Sequence, residues 1–478
     1  MKGSKIILAT ALVCSLLTAI KTTAVPANIQ SSLHVKQVTE KIESIIEKAH
    51  QLIGFNGSVL IAQDGEVIYQ QAFGYADQDK KIKLRADHLL STGSISKEFT
   101  TIALIMLEEQ GKVHYQDKIS KYLTHLPAWG NQITIEQLLS HTSGLPRINW
   151  RDNLNTQDIE AQLMAIDTLA FTPGSDYLYG NLNVLLRAFI IEKITQQAFP
   201  AYIEQTLFKP AKMKSTFNKI ELNDVRPSVV VGDYPTAILA ISYYTTPADL
   251  YLWEKALQSH QFISATSMKK ALTPHTLSGM SSRAYFDLGN FIKNDQGQMT
   301  LLLHDGSNPD HHAIKANHLD KALIMILMSS DGRKVTLFEL NDYIANIEKY
   351  NNNEMPASWW LTNEINSSNF DDAFEKFKTV IKKGQSLIVS EDALNKLGYS
   401  FARNTQLANA IAVMKLNTKL YPDSANTYDS YAELLVLTEQ YKQALPVIQQ
   451  GLKLAEMDKN AELTKLLFRH LTIVNNNL

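Results

Sequence analysis

The stretch Ser91-Thr92-Gly93-Ser94-Ile95-Ser96-Lys97-Glu98-Phe99-Thr100 decides how the chain is read. Downstream of it Phe99, Ile102, Ala103, Ile105, Met106 and Leu107 recur at three- and four-residue spacing, and Gly111 closes the run. That spacing predicts a buried helix. Ser94 is expected in its first turn, with Lys97 one turn further along the same face. A hydroxyl there meets unpaired backbone N–H groups and the positive end of the helix dipole. A lysine three residues on can hold or take the serine proton, provided that burial lowers its pKa. The same residues also fit a capping serine and a solvated lysine, because four-residue matches are frequently fortuitous. The rest of the chain has to discriminate.

With 478 residues there is room for two or three domains and a large core. A formal net charge of −2 and a pI of about 6.7 leave no electrostatic footprint for nucleic acid or an anionic membrane surface. Hydrophobic residues make up 45% of the chain, which indicates a globular protein. Residues 1–24 read as a secretory signal. Lys2 and Lys5 precede an apolar run over 6–20, and Thr22-Thr23-Ala24 supplies small residues for cleavage. The run is short for a membrane span, so the expectation is a periplasmic or secreted protein with no transmembrane segment once the signal is removed. Cys14, the sole cysteine, lies inside that run. The mature chain therefore offers neither a disulfide nor a thiol nucleophile.

Beyond the signal, 35–52 has the pattern of an amphipathic helix. Two β runs, 57–62 and 67–73, flank Asp64-Gly65 and predict a hairpin. From about 94 to 275 the patterns are mainly helical, broken at Gly144-Leu145-Pro146 and Thr172-Pro173-Gly174. Strand patterns return over 284–293, 299–304, 312–317 and 322–328, followed by a helix over about 337–350. Strands, helical insertion and strands again give an α+β fold. An antiparallel sheet is flanked by terminal helices, with an inserted all-helical subdomain beside it. We expect this unit to span 25–350.

Asn351 to Pro356 reads as a linker, and 351–478 as a separate helical domain. Ala410-Ile411-Ala412-Val413 and Ala444-Leu445-Pro446-Val447 stand 34 residues apart, as do Leu397-Gly398 and Tyr431-Ala432. That period, with small residues at the contacts, is the tetratricopeptide signature, and such repeats would offer a surface to a protein or peptide partner.

Three further stretches join the first serine: Leu138-Leu139-Ser140-His141-Thr142-Ser143-Gly144-Leu145-Pro146, Tyr179-Gly180-Asn181, and His304-Asp305-Gly306 at the end of a strand. Each alone is weak, but their order and separation form one constellation. Residues 35–345 resemble the serine β-lactamase and penicillin-binding-protein superfamily, on the branch with class C β-lactamases, D-alanyl-D-alanine carboxypeptidases and related esterases. The resemblance rests on the four stretches above, on Asp117-Lys118-Ile119-Ser120-Lys121-Tyr122-Leu123, on Phe171-Thr172-Pro173-Gly174, and on Thr245-Thr246-Pro247-Ala248-Asp249-Leu250. The joined layout is similar to bacterial serine hydrolases with a C-terminal tetratricopeptide region.

The resemblance implies a β-lactamase/transpeptidase-like fold, no cofactor or metal, and a small-molecule or peptide substrate. It makes Ser94 the acylated nucleophile. Lys97 and Tyr179 would share the proton transfers, although free lysine and tyrosine have pKa values of about 10.4 and about 10 and must be perturbed to act near neutrality. Asn181 would orient Lys97 and the acyl side of the substrate. The oxyanion hole would combine the N–H of Ser94 with one after His304, that of Ser307, beside Gly306. His304 takes the place of a lysine in class C β-lactamases, which favours esterase or D-amino-acid peptidase and amidase activity over β-lactam hydrolysis. Asp305, if its side chain faces the site, would repel an anionic substrate. A class C-like β-lactamase and a non-catalytic scaffold whose repeats bind a partner are the competing readings. A metal site among His304, Asp305, Asp310, His311, His312 and His318 is not expected, since strand alternation points His311 and His312 to opposite faces.

Overall fold

A computed structural model describes residues 27–478 apart from 149–154, 220–226, 230–231, 233–237, 275–282, 333, 352–353 and 384–386. The segment 1–24, with its expected signal, lies outside the described residues. No helix among the described residues is long and apolar enough to cross a membrane.

Helix α1 (Ala27–Ile53) leads into strands β1 (Gly57–Gln63) and β2 (Glu66–Phe73). Four more strands come from the far end of the unit: β3 (Asn290–Lys293), β4 (Met299–Ser307), β5 (His312–His318) and β6 (Leu323–Ser329). They form one antiparallel sheet in the order β2-β1-β6-β5-β4-β3. Alternation along each strand sends side chains to two cores. Val59, Ile61, Ile314, Met325 and Leu327 pack with Ile42 and Ile45 of α1 and Leu337 and Leu340 of a later helix. Leu60, Ala62, Ile324, Ile326 and Met328 pack on the opposite face with Leu90, Ile95 and Leu250. Burial on both faces explains why Leu323–Ser329 is an unbroken apolar run.

The insertion between β2 and β3 carries α2 (Lys97–Glu109), α3 (Asn181–Thr195), α4 (Pro247–Gln258) and shorter helices. Its core is threaded by Phe99. That ring meets Phe208, Tyr243 and Trp253 edge-on at centroid distances of 4.9, 5.3 and 5.1 Å. Such aromatic pairs add about 0.5–1.5 kcal/mol each beyond area burial. They anchor α2 at its first turn, one residue from Glu98 and two from Lys97.

The alternation over 284–293 predicts a strand, yet only Asn290–Lys293 is extended. The residues before it close a tight loop instead. Ala284 N–H donates to Gly289 O at 3.1 Å, Gly289 has φ +100°, and Asp287 N–H donates to Leu139 O at 3.2 Å. The reason is Asp287 itself: its carboxylate is drawn into the helical insertion by Arg187 and His141, which pulls the backbone off the sheet.

Helix α5 (Lys334–Ala345) closes the unit, and α6 (Ala357–Ser367) inserts Trp359 into the same apolar cluster as α1 and α5. Trp359 Nε1 donates to Glu339 Oε2 at 2.6 Å, and Ser358 donates to the other oxygen of that carboxylate. The expected linker is therefore short, with Met355–Pro356 paired in parallel to Leu387–Ile388. Helices α7 (Phe370–Lys382), α8 (Glu391–Arg403), α9 (Leu407–Leu420), α10 (Ala425–Leu437), α11 (Tyr441–Met457) and α12 (Ala461–Asn475) follow as a helical array. Gly398 lets α8 cross close to α9, since a Cβ there would lie 2.7 Å from Met414 Cε.

Replacing Phe99 by Ala should cost about 3–5 kcal/mol, the usual range for emptying a large aromatic site. Chemical denaturation followed by tryptophan fluorescence measures this, and a loss below about 1 kcal/mol would contradict the packing described.

Candidate active site

Ser94 lies in a single 3₁₀ turn, Gly93–Ser96, and Lys97 begins the α-helix that follows. The turn tightens the entry to α2 and places the two side chains together: Lys97 Nζ donates to Ser94 Oγ at 2.9 Å. Lys97 is 2% exposed. Its amine also stands 5.1 Å from the ring centroid of Tyr179, whose hydroxyl is hydrogen-bonded to Ser94.

The second wall is the end of β4. Pairing between β3 and β4 ends at Leu303, so from His304 onward the edge of β4 away from β5 is free to meet the turn that carries Ser94. The two backbones approach until side chains no longer fit. A Cβ on Gly306 would lie 1.9 Å from Thr92 O and 2.8 Å from Ser94 N, and one on Gly93 would lie 2.4 Å from Ser307 N. Gly93 also takes φ +51°, a left-handed value open to glycine at little cost. The amides of Ser94 and Ser307 thus come to one place.

Ser94, Tyr179, His304 and Ser307 line a cavity of about 260 Å³ together with Asp305 and Arg283. The structure therefore brings together residues that stand up to 213 positions apart, from Ser94 to Ser307. Asn181 opens α3 and, among the described residues, is not one of those lining the cavity. The buried amide is Asn183, which accepts from Ser143 Oγ at 2.6 Å and donates from Nδ2 to His141 Nδ1 at 3.1 Å. Asp305 does line the cavity, but it is ion-paired with Lys334. The expected repulsion of anions is thus corrected: a neighbouring ammonium offsets the charge.

The residues 43–349 match the family model described as Beta-lactamase. The chain belongs to the beta-lactamase family. Penicillin-binding protein 4* of Bacillus subtilis is 29% identical over 330 residues, covering 62% of this chain and 71% of that protein. The octameric penicillin-binding protein homologue of Pyrococcus abyssi superposes with a TM-score of 0.57 at 21% identity, over 65% of this chain and 77% of its own. The D-amino acid amidase of Ochrobactrum anthropi superposes with a TM-score of 0.55 at 20% identity, over 66% and 98%. This beta-lactamase-family chain is a serine hydrolase in the architecture it shares with them.

Behind Lys97 the beta-lactamase-family site holds a buried ion cluster that sequence patterns did not single out. Asp287 Oδ2 accepts from Arg187 Nη2 and from His141 Nε2, both at 2.9 Å, while Arg187 Nη1 donates to Thr101 Oγ1 at 2.8 Å. His141 Nδ1 faces two donors, Asn183 Nδ2 and the N–H of Gly180 at 3.3 Å, so its proton sits on Nε2. A fixed histidine thus holds the backbone next to Tyr179, and its ring lies 4.6 Å from that of Tyr179. One signal was available: Arg187 interrupts the otherwise apolar run 184–191, and an arginine buried that way requires a carboxylate. Which carboxylate, 100 residues later, was not readable.

The electrostatics divide the proton-bearing groups. Burial lowers Lys97 to about 8, with Asp287 pulling upward and Arg187 pushing further down. Burial moves Tyr179 the opposite way, well above its usual range, and the Asp287 charge adds to the effect. At neutral pH the phenol therefore stays protonated, while roughly a tenth of Lys97 is a free amine. Burial works against the Asp287 carboxylate, but His141, Arg187 and Lys97 outweigh it and hold its pKa well below the usual range.

Asp287→Asn should have two effects. It strands the Arg187 cation, at a cost of about 3–5 kcal/mol of stability. It also removes the charge that supports the Lys97 ammonium, so the pKa of Lys97 falls and the acidic limb of the pH–activity profile moves to lower pH. A limb that moved upward would contradict the assignment. Gly306→Ala should force β4 back from the Ser94 turn and lower kcat by about 10²–10³-fold, the loss expected for one misplaced oxyanion donor. Steady-state kinetics would expose the error if the variant kept wild-type turnover.

Proposed function

We propose that this protein is an exported acyl-serine hydrolase acting on esters or on small D-amino-acid peptides and amides. The observation that carries the proposal is the 2.9 Å contact between Ser94 Oγ and an amine whose pKa burial has lowered to about 8. Ser94 Oγ attacks the acyl carbon while Lys97 Nζ takes its proton. The N–H groups of Ser94 and Ser307 receive the developing oxyanion. Tyr179, protonated at rest, gives its proton to the leaving oxygen or nitrogen and is reprotonated from Lys97. A water then follows the reverse course, with the proton returning to Ser94 as the acid departs. Asn181 would contribute on the acyl side, as the resemblance implies. His304 carries the ranking of esters and D-amino-acid amides above β-lactams, because a lysine at that place would be a permanent anchor for a carboxylate. The amidase neighbour supports the same substrate class.

We further propose the organisation 1–24 signal peptide, 25–350 catalytic domain and 351–478 tetratricopeptide-like domain, in a periplasmic or secreted protein. The 34-residue offset between the contact glycine and alanine of α8 and α10 supports the repeat reading. Its exposed faces would be the place for a protein or peptide partner.

A fluorophosphonate probe should label the wild-type chain on Ser94 and leave Ser94→Ala unlabelled. Absence of label on the folded wild type would favour the non-catalytic scaffold. With p-nitrophenyl esters, D-alanyl peptides and nitrocefin as a panel, kcat/KM should fall about tenfold per pH unit below about 8 and level off above it, as Lys97 loses its proton. Nitrocefin turnover far above the other substrates would reverse the ranking.

A further inference from the structure

Glu98 follows Lys97 but turns the other way, toward the sheet, and the mechanism above gives it nothing to do. It is wholly buried. Its Oε2 accepts from Trp253 Nε1 at 2.7 Å. Its Oε1 accepts from His304 Nδ1 at 2.7 Å and lies 3.4 Å from Lys315 Nζ. His304 and Lys315 are direct cross-strand partners on β4 and β5, so the pleat presents both to α2. Lys315 is also paired with Glu254 of α4, which in turn accepts from Asn317 Nδ2 at 2.9 Å.

Two points separate Glu98 from an ordinary structural ion pair. First, Lys315 already has a carboxylate in Glu254, so a second buried anion is not needed to neutralise it, and burying a charge without need is costly. Second, an ionised carboxylate only accepts, and burial notwithstanding, Lys315 and His304 hold Glu98 below its usual pKa. The hydrogen in the 2.7 Å bond therefore belongs to His304 Nδ1. That leaves Nε2 as the nitrogen turned to the cavity, on a ring that lines it.

Resting on the acyl-serine reading above, we infer that Glu98 is a positioning residue: it locks His304 in one orientation and presents Nε2 alone to the substrate beside Ser94. Trp253 and Lys315 hold Glu98 in turn, and Glu254 holds Lys315. The pair follows the general logic in which a carboxylate behind an imidazole sets which nitrogen works. His304 then offers the substrate one defined contact rather than a ring free to turn over.

The test combines spectroscopy with a double-variant cycle on the full chain. In the wild type, a low-field imidazole N–H proton resonance is expected, lost in His304→Gln and in Glu98→Gln. Glu98→Gln keeps the shape and the acceptor for Trp253, and should lower kcat/KM about tenfold, the loss expected for one misdirected hydrogen bond to substrate. In the double variant Glu98→Gln/His304→Gln the activity should be no lower than in His304→Gln alone, because one residue acts through the other. Equal losses from Glu98→Gln in both backgrounds would overturn the inference, as would absence of the resonance from the wild type. Should Glu98→Gln fail to fold, Glu98→Asp takes its place in the same cycle. Should the wild type lack acyl-serine turnover altogether, the resonance still decides whether Glu98 holds His304, so the two failures are distinguishable.

Discussion

Everything at the site depends on burying an ammonium next to a serine. Removing a charged amine from water is costly, by several kcal/mol even after relaxation. The molecule accepts that cost at Lys97 and converts it into a lowered pKa of about 8. The same desolvation raises Tyr179, so burial at one site separates a group that can take a proton from one that can give it. Asp287 keeps the separation from going too far. Its charge supports the Lys97 ammonium, and Arg187 and His141 keep that charge in place.

Lys97 is buried because two bodies of secondary structure close on the Ser94 turn. The helical insertion supplies the Ser94 turn, Tyr179 and the Asp287 cluster; the sheet supplies His304, Gly306 and Ser307. Gly93 and Gly306 allow the two backbones to approach to a distance that no side chain permits. Glu98 ties the same seam from below by engaging His304 and Lys315 across β4 and β5. The catalytic geometry is therefore a property of the junction and not of either half. The ring cluster on Phe99 and Trp253 connects the junction to the core of the insertion, because Trp253 both packs on Phe99 and donates to Glu98.

A second junction joins the C-terminal helices to this unit. Trp359 enters the cluster formed by α1 and α5, and Glu339 beneath it is raised to about 7 by burial while Ser358 and Trp359 donate to it. The array is thus seated through an apolar side chain and a protonatable carboxyl, on the face of the sheet opposite the catalytic cavity.

Local chemistry was legible in the chain itself. The apolar spacing after Ser94 specified α2, the β patterns placed five of the six strands to within three residues, and the motif order specified the family. These signals survive in one dimension because each reports a regular period or a short-range contact. The strand expected over 284–293 failed at Asp287, where a partner 100 residues away in Arg187 outweighed local preference. The repulsion expected of Asp305, should it face the site, left out Lys334, which is its neighbour only in space. Asn183, His141 and Glu98 gained their positions from hydrogen bonds that close long loops, and no period records such closures. The sequence by itself determined which groups could react. Only the tertiary structure decided their protonation, because a pKa is set by how much water folding removes and by which charges it leaves nearby.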